Sequence, residues 1–278
     1  MAADGSARWL DVSAERFPGW ISSFARRHGD SAPLLSVPAG GAVTFTAPDG
    51  AVAECHPPYQ ESFALPPGLA DPGEAAAVIA AHARAPRAVG VLLVRLGGYA
   101  AGVFTGYPPA LADSKVGSRL VHGRSAAGGW SQHRFARRRE KQANEALDAA
   151  ADTAVAVFGR WTSGITATGA PARASTAPAR RPAPRDTPPR GAGRTRSGSG
   201  VAAGGAGPAA GRGRRLDAVV LGGDKRAVAE LRDDPRLAPY LAIATERFLT
   251  VPDPKRAVLE GAPRLFTAVR ISLTEPPA

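Results

Sequence analysis

Residues 162–213 constrain the fold most strongly, because they consist almost wholly of Gly, Ala, Pro, Ser, Thr and Arg. A segment of this composition cannot bury enough apolar surface to offset an ordering entropy of roughly 1–2 kcal/mol per residue. We therefore predict a disordered insertion here. Any core must then be assembled from the two flanking stretches, residues 1–161 and 214–278.

Six segments of the remaining chain are predicted as strands of one sheet. Residues 87–96 (RAVGVLLVRL) have the continuous apolar character of a buried strand, and Gly97-Gly98 turns the chain back into a second strand at residues 99–105. Residues 115–122 are predicted as a third strand, and beyond the insertion strands are predicted at 216–221 (LDAVVL), 247–251 and 265–273. Helices are predicted at 134–158, 224–232, 235–244 and 254–261, and their alternation with the strands predicts one α/β domain interrupted by the insertion.

The sequence pattern of the first 86 residues predicts a separate, smaller α+β unit. Apolar residues at helical spacing indicate a helix over residues 12–28, and short strands are expected at 34–37, 42–46 and 51–55. An alanine-rich helix is expected at 72–84.

The predicted fold class is therefore α/β, with a mixed sheet flanked by helices. The predicted domains are an N-terminal α+β unit (1–86), a second domain (87–161 plus 214–278) and the disordered insertion (162–213).

The formal net charge of +11 is concentrated in two segments. Residues 115–141 hold eight Lys or Arg against Glu140, and residues 162–211 hold seven Arg against Asp186. With Arg212, Arg214 and Arg215 also set apart, the rest of the chain sums to −5. Positive charge focused on one stretch of an otherwise acidic body is typical of a nucleic-acid contact.

Several classes of protein are disfavoured. No run of about 18 uncharged apolar residues is present, and the N-terminus lacks the layout of a secretion signal, so we expect a cytoplasmic protein. Cys55 is the only cysteine, which excludes an intrachain disulfide, and we expect it to be a buried small hydrophobe. Neither a metal site nor a cofactor is predicted, and His56 and His82 are expected to be structural or solvent-facing.

Gly222-Gly223, after the 216–221 strand, allows two interpretations. The pair could form a phosphate-binding turn, or a tight connection into a helix capped by Asp224. Without GxGxxG or a P-loop lysine, the tight connection is favoured.

The chemistry is expected in residues 123–142, GRSAAGGWSQHRFARRREKQ. The small residues before Trp130 give a loop little bulk, and paired glycines open backbone angles closed to other residues. The following helix opens with several arginines, although cations near a helix N-terminus oppose its dipole. An external polyanion such as RNA phosphate would offset that cost. A solvated charged face is the alternative.

Gly128, Gly129 and Gln132 before a basic helix resemble the GGQ loop of eukaryotic and archaeal-type peptide chain release factors. The longer string is more similar to the Vms-like release-factor family of peptidyl-tRNA hydrolases, in its actinobacterial branch. Trp130 and Ser131 separate the glycines from Gln132, which departs from the contiguous GGQ of termination factors and fits the rescue relatives.

This resemblance implies a monomeric peptidyl-tRNA hydrolase that acts on the large ribosomal subunit and releases nascent peptide from stalled ribosomes. Gly128, Gly129 and Gln132 would be catalytic, with Gln132 positioning the attacking water. Trp130 would either stack on an RNA base or pack under the loop. The predicted RNA-binding residues are Arg119, Arg124, Trp130, Arg134, Arg137, Arg138, Arg139 and Lys141.

Two other functions fit parts of this pattern. Residues 129–133 (GWSQH) follow a strand and precede a helix, as in a serine hydrolase, but they lack the second glycine of G-x-S-x-G, and His133 is too near Ser131 to be its base. The second is an RNA- or ribosome-binding protein without hydrolytic activity. It explains the basic helix but leaves the glycine pair and Gln132 without a purpose.

Overall fold

The computed structural model describes residues 7–29, 31–37, 41–95, 97–118, 131–161 and 214–276, and for residues 131–140 it describes the backbone alone. In chain order the elements are β1 (Arg8–Val12), α1 (Phe17–Arg27), β2 (Leu34–Ser36), β3 (Val43–Thr46), β4 (Val52–His56), α2 (Pro72–Arg84), β5 (Arg87–Arg95), β6 (Gly98–Gly106), β7 (Ala110–Ser118), α3 (Ser131–Phe158), β8 (Ala218–Gly223), α4 (Lys225–Leu231), α5 (Ala238–Leu241), β9 (Ala244–Leu249), α6 (Arg256–Gly261), α7 (Pro263–Phe266) and β10 (Val269–Thr274). Short 3₁₀ turns occur at Gln60–Ser62 and Gly159–Trp161.

The first sheet has the strand order β1-β10-β4-β3-β2, and all its pairs are antiparallel. Helix α1 packs Phe17, Ile21 and Phe24 into a core with the inward-facing residues of the sheet, among them Phe45 and Ile271. The spacing of the three α1 residues is that of one helix face. Alternation along the strands sends polar residues to the opposite face of the sheet, as expected for an antiparallel sheet with one buried side.

The last strand, β10, lies between β1 and β4 in this first sheet. Its residues alternate inward and outward, with Ile271 opposite Cys55 and Leu10. The 87–161 plus 214–278 domain stays a prediction. The topology shows that the end of the chain pairs with N-terminal strands and does not extend the second sheet.

The second sheet has the strand order β7-β6-β5-β8-β9 and is mixed, with β5 antiparallel to β6 and parallel to β8. Both faces are covered. Leu92 and Val94 pack with α3 on one side, while Val91 and Leu93 pack with α6 and α7 on the other. This double burial explains the continuous apolar run of β5.

Gly222-Gly223 forms a tight connection between β8 and α4. Gly223 has φ +104°, and a Cβ at this position would lie 2.0 Å from the carbonyl oxygen of Val94. Asp224 caps α4 by accepting the N–H groups of Arg226 and Ala227 at 2.8 and 3.3 Å. Packing and capping therefore account for these residues, and the tight-connection interpretation is confirmed.

The predicted fold class, α/β with a mixed sheet flanked by helices, is confirmed. The predicted 12–28 helix begins later, at Phe17, because Arg8–Val12 pairs as a strand with β10 and Pro18 favours a helix start. The predicted third strand begins earlier, at Ala110. It lies at the edge of the second sheet, where hydrogen bonds to β6 hold it in place. None of its side chains is fully buried, so its sequence has no continuous apolar run.

Cys55 is fully buried, as predicted, and burial raises the pKa of its thiol. The predicted disordered insertion lies outside the described residues. Among the helices of the described residues, none is long and apolar enough to cross a membrane.

Candidate functional site

The predicted site spans the residues between the end of β7 at Ser118 and the start of α3 at Ser131, together with the first turns of α3. Arg119, Arg124, Gly128, Gly129 and Trp130 lie outside the described residues. The backbone alone is described for Gln132, Arg134, Arg137, Arg138 and Arg139, which all belong to α3. Lys141 is the member of the predicted set whose side chain is described. The structure therefore defines the supports on both sides of the loop.

On the β7 side, the support is the contact between Gly117 and Tyr99. Gly117 pairs with Tyr99 of β6, whose side chain is 8% exposed. A Cβ at Gly117 would lie 2.5 Å from the Tyr99 ring, so the ring occupies the space that any side chain at this position would need. This packing fixes the end of β7 one residue before the described chain stops at Ser118.

On the α3 side, the support is the packing of the helix C-terminal half on the second sheet. Ala150, Ala154, Val157 and Phe158 are buried in the core that includes Leu92 and Val94. The alanines let the helix lie close to the strands, and the Phe158 ring meets Tyr240 edge-on with centroids 5.3 Å apart. The end of α3 away from the loop is therefore anchored by apolar burial.

A bidentate ion pair joins the two supports. Arg160, in the turn after α3, donates from Nε and Nη2 to Asp113 of β7 at 2.6 and 2.9 Å. The hydrogen bond from Arg160 holds the pKa of Asp113 below its usual value. Next to it, Arg256 of α6 donates to Ser114 Oγ at 3.0 Å. No local motif marks these residues in the sequence, because Asp113 and Arg160 are 47 positions apart.

Burial along α3 changes towards its N-terminus. Lys141, Asn144 and Glu145 are exposed, whereas Ala146 is 8% exposed and Ala150 is fully buried. Lys141 Nζ lies 3.9 Å from Glu145 Oε1, and both side chains are more than half exposed. An exposed pair of this kind contributes little to stability, about 0.3–0.5 kcal/mol. The Lys141 ammonium is therefore only weakly held by the protein.

Helix geometry relates the other cations to Lys141. Lys141 precedes Ala150 by nine positions, about two and a half turns, which places the two on opposite sides of α3. Positions 134, 137 and 138 precede Lys141 at spacings of seven, four and three, so they share its side of the helix. Position 139 does not belong to this row. The predicted RNA-binding positions on α3 thus divide into one row of four and a separate position 139.

Gln132 is the second residue of α3, although the sequence analysis placed it in the loop. The first four backbone N–H groups of an α-helix have no partner within the helix. The N–H of Gln132 is one of these groups. It lies at the end of the helix where the peptide dipoles contribute a partial positive charge.

Together the fold and the site define an α/β protein in which an edge strand and a long helix, packed on the same sheet, flank residues 119–130. A family model described as "Actinobacteria/chloroflexi VLRF1 release factor" matches residues 87–272, about two-thirds of the chain. The chain belongs to this family, and the predicted resemblance is confirmed.

Among solved structures, the chain is similar to the crystal structure of archaeal translation termination factor aRF1. The identity is 12%, the TM-score is 0.36, and the match covers 94% of this chain and 64% of the archaeal chain. The chain therefore spans less than two-thirds of the length of that protein. A comparison with curated proteins finds no match.

Proposed function

We propose that this chain is a peptidyl-tRNA hydrolase that acts on the large ribosomal subunit and releases nascent peptides from stalled ribosomes. Membership of a release-factor family places it among proteins of translation termination or ribosome rescue. Trp130 and Ser131, which interrupt the glycine–glutamine motif, favour rescue over stop-codon-dependent termination. The matched region includes the whole loop and all of α3.

The observation that best supports hydrolysis is the position of Gln132 in the first turn of α3. Hydrolysis of the ester between peptide and tRNA creates negative charge on the carbonyl oxygen as water attacks. A backbone N–H without a helical partner is a suitable donor to that oxygen. The positive end of the helix dipole adds to the stabilisation.

The side chain of Gln132 has a different role in this proposal. An amide does not titrate in a useful range, so it cannot act as a general base. It has one acceptor oxygen and two donor hydrogens, which suit it to hold a water molecule against the ester carbon. Catalysis would then depend on placement and on preorganised dipoles.

The remaining predicted residues bring Gln132 to the substrate. Gly128 and Gly129 give the loop backbone freedom and no bulk, as entry into a narrow RNA channel requires. Arg134, Arg137, Arg138 and Lys141 would bind phosphates along one side of α3, with Arg119, Arg124 and Arg139 nearby. Ribosomal RNA and tRNA would complete the site around the ester, for a monomeric protein acting in the cytoplasm.

The test is peptide release from peptidyl-tRNA on isolated large ribosomal subunits. Gln132→Ala removes the side chain that would hold the water and keeps the backbone N–H. It should lower the release rate by about 10²–10³-fold, comparable to the loss of one oxyanion-hole donor. Binding to the subunit should not change, because the cations remain. Gln142→Ala, ten positions further along α3, is the matched control and should release peptide at the wild-type rate.

Other outcomes separate the alternatives. Full release by Gln132→Ala would refute the proposed mechanism. Tight binding without release by the wild-type protein would support an RNA- or ribosome-binding protein without hydrolytic activity. A serine hydrolase would lose its activity in Ser131→Ala and would cleave small esters without ribosomes.

A further inference from the structure

A cleft of about 170 Å³ lies between the outward face of the first sheet and β9. Its lining includes Trp9, His56 and Arg270 from the sheet and Thr245 and Arg247 from β9, with Tyr59 buried beside them. Sites for drug-sized ligands measure about 300–1,000 Å³. This cleft therefore suits one part of a larger molecule, such as a single base or a single side chain.

The walls of the cleft are held by interactions that need no ligand. Arg247 donates from Nη2 to Asp11 Oδ1 at 2.6 Å and also donates to the carbonyl oxygen of Ala268. Glu61 accepts the backbone N–H of Glu246 at 2.8 Å, which occupies a donor on the edge strand. These groups form the frame of the cleft, so Arg247 is not the residue expected to recognise a ligand.

Two polar atoms of the lining lack a hydrogen bond in the described part of the chain. They are His56 Nε2 and Thr245 Oγ1, and both atoms are buried. Glu54 Oε1 lies 3.3 Å from His56 Nε2, but the arrangement lacks hydrogen-bond geometry. The large majority of buried side-chain polar atoms in native proteins have a hydrogen-bond partner in the protein or in ordered water. Two exceptions at one cleft point to a ligand that supplies the missing donor and acceptor.

The open side of the cleft presents an aromatic ring and a cation. The Trp9 side chain is 49% exposed, although it is large and apolar. The Arg270 guanidinium lies 4.5 Å from the Trp9 ring centroid, and the His56 ring lies 5.5 Å from it. No carboxylate forms an ion pair with Arg270 in the described residues. Its charge remains available to a ligand.

We propose that this cleft binds one unpaired nucleotide of an RNA. The base would stack on Trp9 with its edge towards His56 Nε2 and Thr245 Oγ1, and Arg270 would contact the adjacent phosphate. Unstacked bases are recognised in this way, by aromatic or guanidinium planes together with hydrogen bonds to the base edge. A protein side chain is the competing occupant. It fits less well, because a base combines a flat face, a donor and acceptor edge, and a nearby phosphate.

The first experiment follows the tryptophan indole N–H signals of the full chain by NMR, with the Trp9 signal assigned by its loss in Trp9→Phe. Adenosine monophosphate should shift the Trp9 signal and leave that of Trp20, which packs on Phe24 behind the sheet, unchanged. Inorganic phosphate alone should shift neither, since the base supplies most of the contact. A shift with an acidic pentapeptide but not with the nucleotide would overturn the proposal in favour of a protein partner.

The second experiment measures the affinity of a single-stranded RNA hexamer. Trp9→Ala and Arg270→Ala should each weaken binding by about tenfold, within the range expected for a stacked base. Arg8→Ala is the matched control, because Arg8 is exposed and lies one residue from Trp9 on the same strand. Equal losses in all three variants would indicate diffuse attraction to positive charge and refute a built site.

Thr245→Val distinguishes a ligand site from a structural role. Removing an unpartnered buried hydroxyl should leave the melting temperature unchanged or raised, yet weaken hexamer binding several-fold. Thr267→Val should lower the melting temperature and leave hexamer binding unchanged, because Thr267 Oγ1 donates to Pro263 O at 2.7 Å and lies outside the cleft. A lower melting temperature with unchanged affinity for Thr245→Val would refute the proposal. None of these variants alters residues 119–142, so their effects on RNA binding can be separated from any effect on peptide release.

Discussion

The two halves of α3 differ in composition. Residues 146–158 place alanines and Phe158 in the core of the second sheet, where small side chains permit close approach. Residues 131–141 carry most of the predicted RNA-binding cations, and Lys141 among them is exposed. One half is thus specified by burial and the other by charge, although both belong to one continuous helix of 28 residues.

Under the proposed function, this difference lets one helix hold Gln132 at a distance from the core that anchors it. At 1.5 Å per residue, α3 is roughly 42 Å long, so an anchor at one end can position groups at the other without contacts along the whole length. Stability would then depend on the buried half and RNA binding on the charged half. Substitutions in each half should change one property and spare the other.

The largest expected effect is on stability, from Phe158→Ala in the buried half. Phe158 is 1% exposed, and its loss leaves a cavity against Tyr240. A buried Phe→Ala change typically costs about 3–5 kcal/mol of unfolding free energy. Denaturant unfolding measures this cost.

Phe158→Leu keeps the site apolar and should cost much less than the alanine variant. It therefore serves for activity measurements if Phe158→Ala fails to fold. At a temperature where Phe158→Leu is folded, its peptide-release rate should equal that of the wild type. A large drop in the release rate with intact folding would contradict this separation of roles, because the buried half of α3 would then affect hydrolysis directly.

A smaller effect, on binding alone, is expected from the double variant Arg137→Ala and Arg138→Ala. Each phosphate contact contributes about 0.7–0.9 to the slope of log affinity against log salt. Loss of two contacts should therefore flatten the slope for large-subunit binding by roughly 1.4–1.8. The unfolding free energy should hardly change, since these positions lie in the half of α3 that precedes Ala146, the first buried residue among its described side chains.

The matched control is the double variant Arg226→Ala and Arg232→Ala, which removes two exposed arginines at α4. Its salt slope should remain that of the wild type. Equal flattening in both double variants would mean that total charge, and not the row on α3, determines the affinity.

The buried half of α3 could be predicted from the sequence, because Ala150, Ala154 and Phe158 recur at helical spacing. The hairpin of β5 and β6 was predictable for a similar reason, since an apolar run and a glycine turn are local signals. The start of α3 was placed three residues too late, and this error moved Gln132 out of the first helical turn. Polar residues at a helix end carry no periodicity that marks the boundary.

Long-range pairing could not be predicted. The pattern of β10 indicates a strand but not its neighbours, and its place between β1 and β4 depends on contacts across more than 200 residues. The cleft beside Trp9 also escaped prediction, because its lining comes from four separate parts of the chain. His56 has no second ligand at metal spacing, so the sequence offered no reason to single it out.

The smallest expected effect comes from the ion pair that joins β7 to the turn after α3. The pKa of Asp113 is lowered in the folded protein, chiefly by its hydrogen bond from Arg160. The resulting stabilisation is present above the unfolded-state pKa of Asp, about 3.9, and is lost as the pH falls through the lower folded-state value. Asp113→Asn should therefore lower the melting temperature slightly at pH 7, and the difference from wild type should vanish in acid.

Melting curves between pH 7 and pH 3 measure this difference, and Asp148→Asn is the matched control. Asp148 is an exposed aspartate of α3, so its variant should melt like the wild type throughout this range. Because Arg160 is largely exposed, solvent and salt screen the pair, and high salt should shrink the effect of Asp113→Asn further. A melting-temperature difference that persists at low pH would show that Asp113→Asn destabilises the protein through packing and not through the loss of charge.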